Sequence, residues 1–124
     1  MDDFVSATVW IKNPNGKYDG IMVGNNGSLL ELGKTLFIKW TSRDVVKKHI
    51  DNGSVKAVRP DGDVERWDDN EVLIFRDLGI STLKIMAKGY CEGAYTYVFV
   101  DGEWMFGAGD KARPLKNLLM FIDK

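Results

Sequence analysis

The chain has 124 residues, with 17 basic and 18 acidic side chains, a net charge of −1 and one cysteine. This length fits one domain, residues 1–124, and 44% hydrophobic with 28% charged residues is typical of a globular protein. The near-neutral charge excludes a strongly basic nucleic-acid binder and an acidic DNA mimic, because both need a large field of one sign. A single cysteine cannot form an intramolecular disulfide, which favours an intracellular protein.

The N-terminal part predicts a β-hairpin. Residues 4–12 are rich in β-branched and aromatic side chains, which favour a strand. The sequence Asn13-Pro14-Asn15-Gly16 is typical of a turn, and residues 17–23 then return as the second strand.

Two central helices are predicted next. The first covers 29–40, after Ser28 as N-cap, and its broad apolar face consists of Leu29, Leu30, Leu32, Leu36, Phe37 and Trp40. The second covers 43–51 and ends at Gly53, which can adopt the left-handed conformation. On this helix Arg43, Lys47 and Lys48 are expected in solvent, opposite the inward Val45, Val46 and Ile50.

The C-terminal half completes the predicted fold. The pattern predicts a weak strand at 54–59 and a stronger strand at 71–76. Residues 81–90 suit a short helix or an irregular strand. The clearest hairpin joins 94–100 to 103–106 through Asp101-Gly102, and a last helix covers 114–122. The sequence therefore predicts an α+β fold: a mainly antiparallel sheet built from N- and C-terminal hairpins, with two central helices and a C-terminal helix.

The segment 27–35 resembles a nucleotide-binding P-loop but has the wrong spacing. Five residues separate Gly27 from Gly33, whereas a P-loop needs four so that successive amides can surround the phosphates. The leucines between the glycines already belong to a predicted helix, so we do not expect a nucleoside triphosphatase.

The acidic segment 61–71 resembles a calcium loop only at its start. Asp61, Asp63 and Glu65 alternate as calcium ligands do, but glycine is required at the sixth position and glutamate at the twelfth. Those positions hold Arg66 and Val72, so no metal site is predicted. Loose binding of a divalent ion by Asp61, Asp63, Asp68 or Asp69 stays an alternative.

Few residues could carry catalysis. The single histidine, His49, and the single cysteine, Cys91, have no local pattern that brings them together. The sequence contains no supported Ser–His–Asp arrangement and no metal-binding cluster of His and Cys. We therefore expect a non-enzymatic protein without a cofactor.

Charge is spread unevenly along the chain. Segment 60–77 has seven acids against Arg66 and Arg76, whereas 34–59 has seven cations against Asp44 and Asp51. This pattern predicts an acidic and a basic surface that steer a protein partner, although ordinary helix and turn exteriors are the alternative.

The candidate contact residues come from these two segments. Trp67 lies between charged residues, as interface anchors often do, although packing as a lid on the core would also explain it. The predicted contact set is Trp67, Asp61, Asp63, Asp68 and Asp69 from the loop, and Arg43, Lys47 and Lys48 from the second helix.

Three stretches resemble a group of small accessory proteins encoded by bacteriophages and prophages. They are ATVWIKNPNGKYDGI at 7–21, LGKTLFIKWTSRDVVKKHIDNGSV at 32–55, and YTYVFVDGEWMFG followed by RPLKNLL within 95–119. Members of the group often carry a histidine-containing segment after the second strand, where this chain has Met22-Val23-Gly24-Asn25-Asn26-Gly27. The resemblance therefore transfers no active site, and it implies a mobile-element origin with an accessory role.

The expected function is that of a phage-encoded accessory protein that binds and modulates or inhibits a host macromolecule. A host protein is the expected partner, and part of a bacterial defence system is one such target. The alternatives are a nucleic-acid-binding regulator that uses the basic helical face, and a small-molecule or nucleotide binder with a pocket between Gly24–Gly27 and Tyr18. No transmembrane segment or secretory signal is predicted, so the expected location is the host cytoplasm.

Overall fold

The computed structural model of the chain describes residues 5–66, 74–91, 95–108 and 112–122. In chain order the elements are β1 Ala7–Lys12, β2 Tyr18–Val23, a π-helical turn Leu29–Gly33, α1 Lys34–Lys39, α2 Arg43–Asp51, β3 Ala57–Val58, β4 Val64–Glu65, β5 Phe75–Leu78, α3 Ile80–Cys91, β6 Thr96–Val100, β7 Glu103–Phe106, β8 Arg113–Pro114 and α4 Leu115–Ile122. The predicted α+β fold with a mainly antiparallel sheet is confirmed.

The main sheet has six strands in the order β5-β2-β1-β6-β7-β8, and β3 with β4 forms a separate two-stranded sheet. Both predicted hairpins are present, β1 with β2 and β6 with β7. At the second hairpin Asp101 and Gly102 have φ angles of 52° and 81°, the left-handed pair that a two-residue turn requires. The two hairpins are joined by β1 and β6, which run parallel and pair from Thr8 with Thr96 to Ile11 with Phe99.

The sheet separates two apolar clusters. The first face carries Val9 and Ile11 of β1 and is covered by α1, α2 and α4, whose buried side chains include Leu36, Ile50 and Leu115. The second face carries Trp10, which stacks on Phe75 with ring centroids 5.4 Å apart and packs with Leu83 of α3. We call the surface of the sheet that carries Val9 and Ile11 the first face, and the surface that carries Trp10 the second face.

Two tryptophans connect the first face to the small sheet. The indole nitrogen of Trp40 donates to the carbonyl oxygen of Gly62 at 2.9 Å, and that of Trp104 donates to the carbonyl oxygen of Trp40 at 2.8 Å. Trp40 and Trp104 are both buried, so these bonds fix the turn between β3 and β4 against the end of α1.

Several boundaries differ from those predicted. The helix predicted over 29–40 begins as a π-helical turn, and the strand predicted over 54–59 shortens to Ala57–Val58. Residues 71–73 of the predicted strand 71–76 lie outside the described residues, and β5 continues to Leu78. The ambiguous segment 81–90 is helical, within α3. The last helix begins at Leu115, because Pro114 pairs with Met105 in β8.

Candidate functional site

An ion cluster ties α2 to two strands of the main sheet. The carboxylate of Asp19 on β2 accepts from the Lys47 ammonium at 2.7 Å and from the Arg76 guanidinium at 3.1 Å. Asp51 accepts from the same two cations at 3.2 Å and 2.6 Å, and the Asp77 amide donates to Asp19 at 2.8 Å. The cluster therefore joins residues of β2, β5 and α2.

The electrostatics of the cluster favour the charged forms. Burial by itself raises the pKa of Asp19, but hydrogen bonds from Lys47, from the Asp77 amide and from Arg76 lower that pKa to about 2. Burial also opposes ionisation of Asp51, and the hydrogen bonds from Arg76 and Lys47 lower its pKa. The hydrogen bond to Asp51 raises the pKa of Arg76. Asp19, Asp51 and Arg76 therefore stay charged near neutrality, so these three groups are not suited to proton transfer there.

The three cations of the predicted basic face have different surroundings. Lys47 belongs to the ion cluster, and its side chain is half-buried. The Arg43 guanidinium donates to the carbonyl oxygen of Lys12 at 2.9 Å, which holds it beside the end of β1. Lys48 is exposed. The structure therefore places the three cations in separate environments, and a nucleic-acid interface gains no support from Lys47.

The predicted acidic loop is only partly within the described residues. Trp67, Asp68 and Asp69 lie outside them. The Asp61 carboxylate accepts from the Asp63 amide at 2.9 Å and so shapes the turn. Asp63 lies 3.5 Å from the Arg59 guanidinium, so this part of the acidic segment faces a cation of the basic segment. Among the described residues, no three side chains of His, Cys, Asp or Glu are placed to hold a metal ion.

The predicted small-molecule pocket between Gly24–Gly27 and Tyr18 is wrong. Tyr18 begins β2 and Gly24 follows its last residue, so the two groups lie at opposite ends of a six-residue strand, roughly 17 Å apart at about 3.3 Å per residue. The amides that could hold a ligand are also occupied, since Gly24 donates to Val55 and Gly27 donates to Val5.

The P-loop-like segment is part of the core. The Thr35 hydroxyl donates to the Glu31 carbonyl at 3.0 Å, and the Tyr97 hydroxyl donates to the Gly27 carbonyl at 2.7 Å. Leu32 and Leu36 are fully buried. These contacts account for the residues that would otherwise surround a phosphate.

His49 has a structural environment on the first face. Its ring stacks on Trp40 with centroids 4.2 Å apart and an interplanar angle of 4°. Burial lowers the pKa of His49, and the charges of Lys48 and Arg66 lower it further against the opposing effect of Asp63. Cys91 is the last residue of α3, which packs on the second face.

The π-helical turn and α1 expose three large apolar side chains. Leu30, Phe37 and Ile38 are 57%, 43% and 52% exposed, whereas Leu36 is fully buried. The single broad apolar face predicted for 29–40 is therefore divided: Leu36 lies in the core, whereas Leu30 and Phe37 lie at the surface. Leu32, Leu36 and Trp40 are buried at a four-residue spacing, whereas Leu30 in the π-helical turn and Phe37 with Ile38 in α1 are exposed. We call Leu30, Phe37 and Ile38 the α1 row.

Comparisons with protein-family models, curated proteins and solved structures found no match for this chain. In the part of the chain that the structure describes, no helix is both long enough and apolar enough to cross a membrane.

Proposed function

We propose that this chain is a phage-encoded accessory protein that acts in the host cytoplasm by binding a host protein. The observation that carries the proposal is the α1 row. Three large apolar side chains that are each at least 43% exposed lie within nine residues of one helical segment. Single exposed apolar residues are common on protein surfaces, but a group of them within one short helical segment is typical of a contact surface.

The geometry of the α1 row suits insertion into an apolar groove of a partner. Helices that bind in this way present anchors three, four or seven residues apart, and Phe37 follows Leu30 by seven residues in the sequence. The opposite side of α1 packs on the first face through Leu36. The row is therefore presented from a helix that is held in place, which reduces the entropy lost on binding.

Polar residues surround the α1 row. Glu31 and Lys39 are both exposed on the same segment. This arrangement matches the usual anatomy of a transient interface, which has an apolar centre and a polar rim. The resemblance to phage and prophage accessory proteins supports a host protein as the partner. The loop 61–71 with Trp67 stays a predicted second contact.

The first test is photo-cross-linking across a panel of bacterial hosts. A photoreactive residue replaces Phe37 in one sample and Ile85 in another, because Ile85 is 70% exposed on α3, which covers the other face. We expect position 37 to cross-link to one host protein and position 85 to give no such product. If position 37 cross-linked only to a second copy of the chain, the α1 row would be a surface for self-association and the proposed host binding would be wrong.

The second test measures the affinity of the captured partner by calorimetry. The double substitution Phe37→Ser with Ile38→Ser should weaken binding at least tenfold, since burial of two large apolar side chains is lost. Ile85→Ser is the matched control and should bind as the parent chain does. Unchanged binding by the double variant, together with weaker binding by Trp67→Ala, would show that the contact lies in the loop 61–71 and not in the α1 row.

A further inference from the structure

A cleft opens where the parallel strands β1 and β6 end. Two cavities of about 490 Å³ and 510 Å³ meet there and share the lining residues Lys12, Gly16 and Asp101. Each cavity has the size of a typical small-molecule pocket. We call the two cavities together the carboxyl-end cleft. It lies at the far end of β2 from Gly24–Gly27, the region that the sequence had suggested.

One side of the cleft is an apolar wall on the second face of the sheet. The apolar residues that line the first cavity are Val98 and Val100 of β6, Met105 of β7, Tyr18 of β2 and Ile80 at the start of α3. Because α3 packs mainly over β1 and β2, the half of this face formed by β6 and β7 remains as the wall. A pleated sheet surface beside an aromatic ring suits a flat apolar molecule.

The second cavity opens toward the first face, on which Phe99 lies, and it carries positive charge. Lys12 lies where the two cavities meet, and Arg43 lines the second cavity together with Asn13. The hydrogen bond from Arg43 to the Lys12 carbonyl keeps the guanidinium at this position, with donors left for a ligand.

Two carboxylates face the same cleft and limit the charge of the ligand. Asp101 lines both cavities, and Glu103 lines one of them but lies 3.5 Å from the Lys116 ammonium. With Glu103 balanced by Lys116, the cations Lys12 and Arg43 exceed Asp101 by one charge among the lining residues that the structure describes. A ligand with a single negative charge balances this excess, whereas a doubly charged phosphate would leave an uncompensated anion beside Asp101.

We propose that the carboxyl-end cleft binds an aromatic monocarboxylate, with the ring against Val98, Val100 and Met105 and the carboxylate between Lys12 and Arg43. Guanidinium and ammonium groups bind carboxylates through charge-assisted hydrogen bonds, which are stronger than neutral ones. This site is separate from the α1 row, so the proposal does not depend on the proposed protein-binding function.

The test uses naphthalene-2-carboxylate and its uncharged analogue 2-naphthamide as probes. Both are titrated into the ¹⁵N-labelled chain, and amide chemical shifts report where each molecule binds. We expect shifts at Lys12, Tyr18, Val100 and Met105, with the carboxylate binding about tenfold more tightly than the amide. Equal affinities, binding elsewhere on the chain, or no saturable binding up to the solubility limit would each overturn the proposal.

Variants separate the two parts of the site. Lys12→Met and Arg43→Met should each reduce the preference for the carboxylate, whereas Lys48→Met should keep it, because Lys48 is an exposed cation on the same helix as Arg43. Ala108→Trp fills the apolar part and should abolish binding of both probes. The melting temperature and the amide spectrum of each variant show whether it is folded, and a folded Lys12→Met that keeps the full preference would contradict the charge assignment.

Discussion

The two faces of the main sheet are covered to different extents. On the first face, α1, α2 and α4 bury a continuous cluster that includes Val9, Ile11 and Leu36. On the second face, α3 covers Trp10 and Phe75, whereas Val100 and Met105 remain only partly buried. Among the described residues, the first face therefore contributes the larger buried cluster, and the second face has an apolar surface that these residues cover only in part. Binding surfaces commonly occur where a fold leaves such a surface incompletely covered.

The largest expected effect compares a side chain from each face. Leu36→Ala should reduce the free energy of unfolding by about 3.5 kcal/mol, because Leu36 is fully buried and its removal leaves a cavity. Met105→Ala should cost only about 1 kcal/mol, because Met105 is half-buried beside open space. Urea unfolding of both variants measures the difference. Equal losses would show that the second face is as well packed as the first.

Local sequence signals identified the elements but not all of their partners. The turn Asp101-Gly102 specifies its hairpin because the two residues accept positive φ angles, and Ser42 caps α2 through a hydrogen bond from the Val45 amide. The parallel pairing of β1 with β6 joins segments almost ninety residues apart, so no turn sets its register. The ion pair of Asp19 with Arg76 likewise spans 57 residues.

The two candidate surfaces, the α1 row and the carboxyl-end cleft, also depend on contacts that the local sequence does not specify. Apolar residues occupy so many positions of 29–40 that the sequence alone allowed Leu30 and Phe37 to face inward, and only packing against the sheet determined the buried stripe. The carboxyl-end cleft depends on β1 and β6 ending side by side, which follows from their parallel pairing. Neither surface has a local motif from which it could have been predicted.

The next prediction concerns the closely packed part of the second face. A Cβ atom added at Gly20 would lie 2.2 Å from the ring of Trp10, which is fully buried. Gly20→Ala should therefore reduce the free energy of unfolding by about 2.5 kcal/mol through overpacking. Gly79→Ala is the control, since an added Cβ meets no atom within 4 Å there, and it should cost less than about 1 kcal/mol, because alanine is a poorer N-cap than glycine. A harmless Gly20→Ala would mean that Trp10 can move, and that the second face is loosely packed throughout.

The smallest of the three effects tests the polar border of the first face, where Asp19 continues the row of Ile21 and Val23 on β2. The folded-state pKa of Asp19, about 2, lies below its ordinary value of 3.8. Asp19 therefore contributes stability above pH 3.8, and this contribution is lost as the pH falls through about 2. At about 1.4 kcal/mol per pKa unit, the contribution near neutrality is about 2 kcal/mol.

Asp19→Asn should accordingly reduce the free energy of unfolding by about 2 kcal/mol at pH 7, and its unfolding curve should converge with that of the parent chain near pH 2. Urea unfolding at a series of pH values measures both results. Asp77→Asn is the control, because Asp77 pairs with Lys17 at 3.8 Å in an exposed position, and such pairs contribute about 0.5 kcal/mol or less. If the difference in the free energy of unfolding between Asp19→Asn and the parent chain were unchanged at pH 2, Asp19 would stabilise the first face through its shape and neutral hydrogen bonds. Convergence would show that the charge of Asp19 stabilises this border through its ion pairs with Lys47 of α2 and Arg76 of β5.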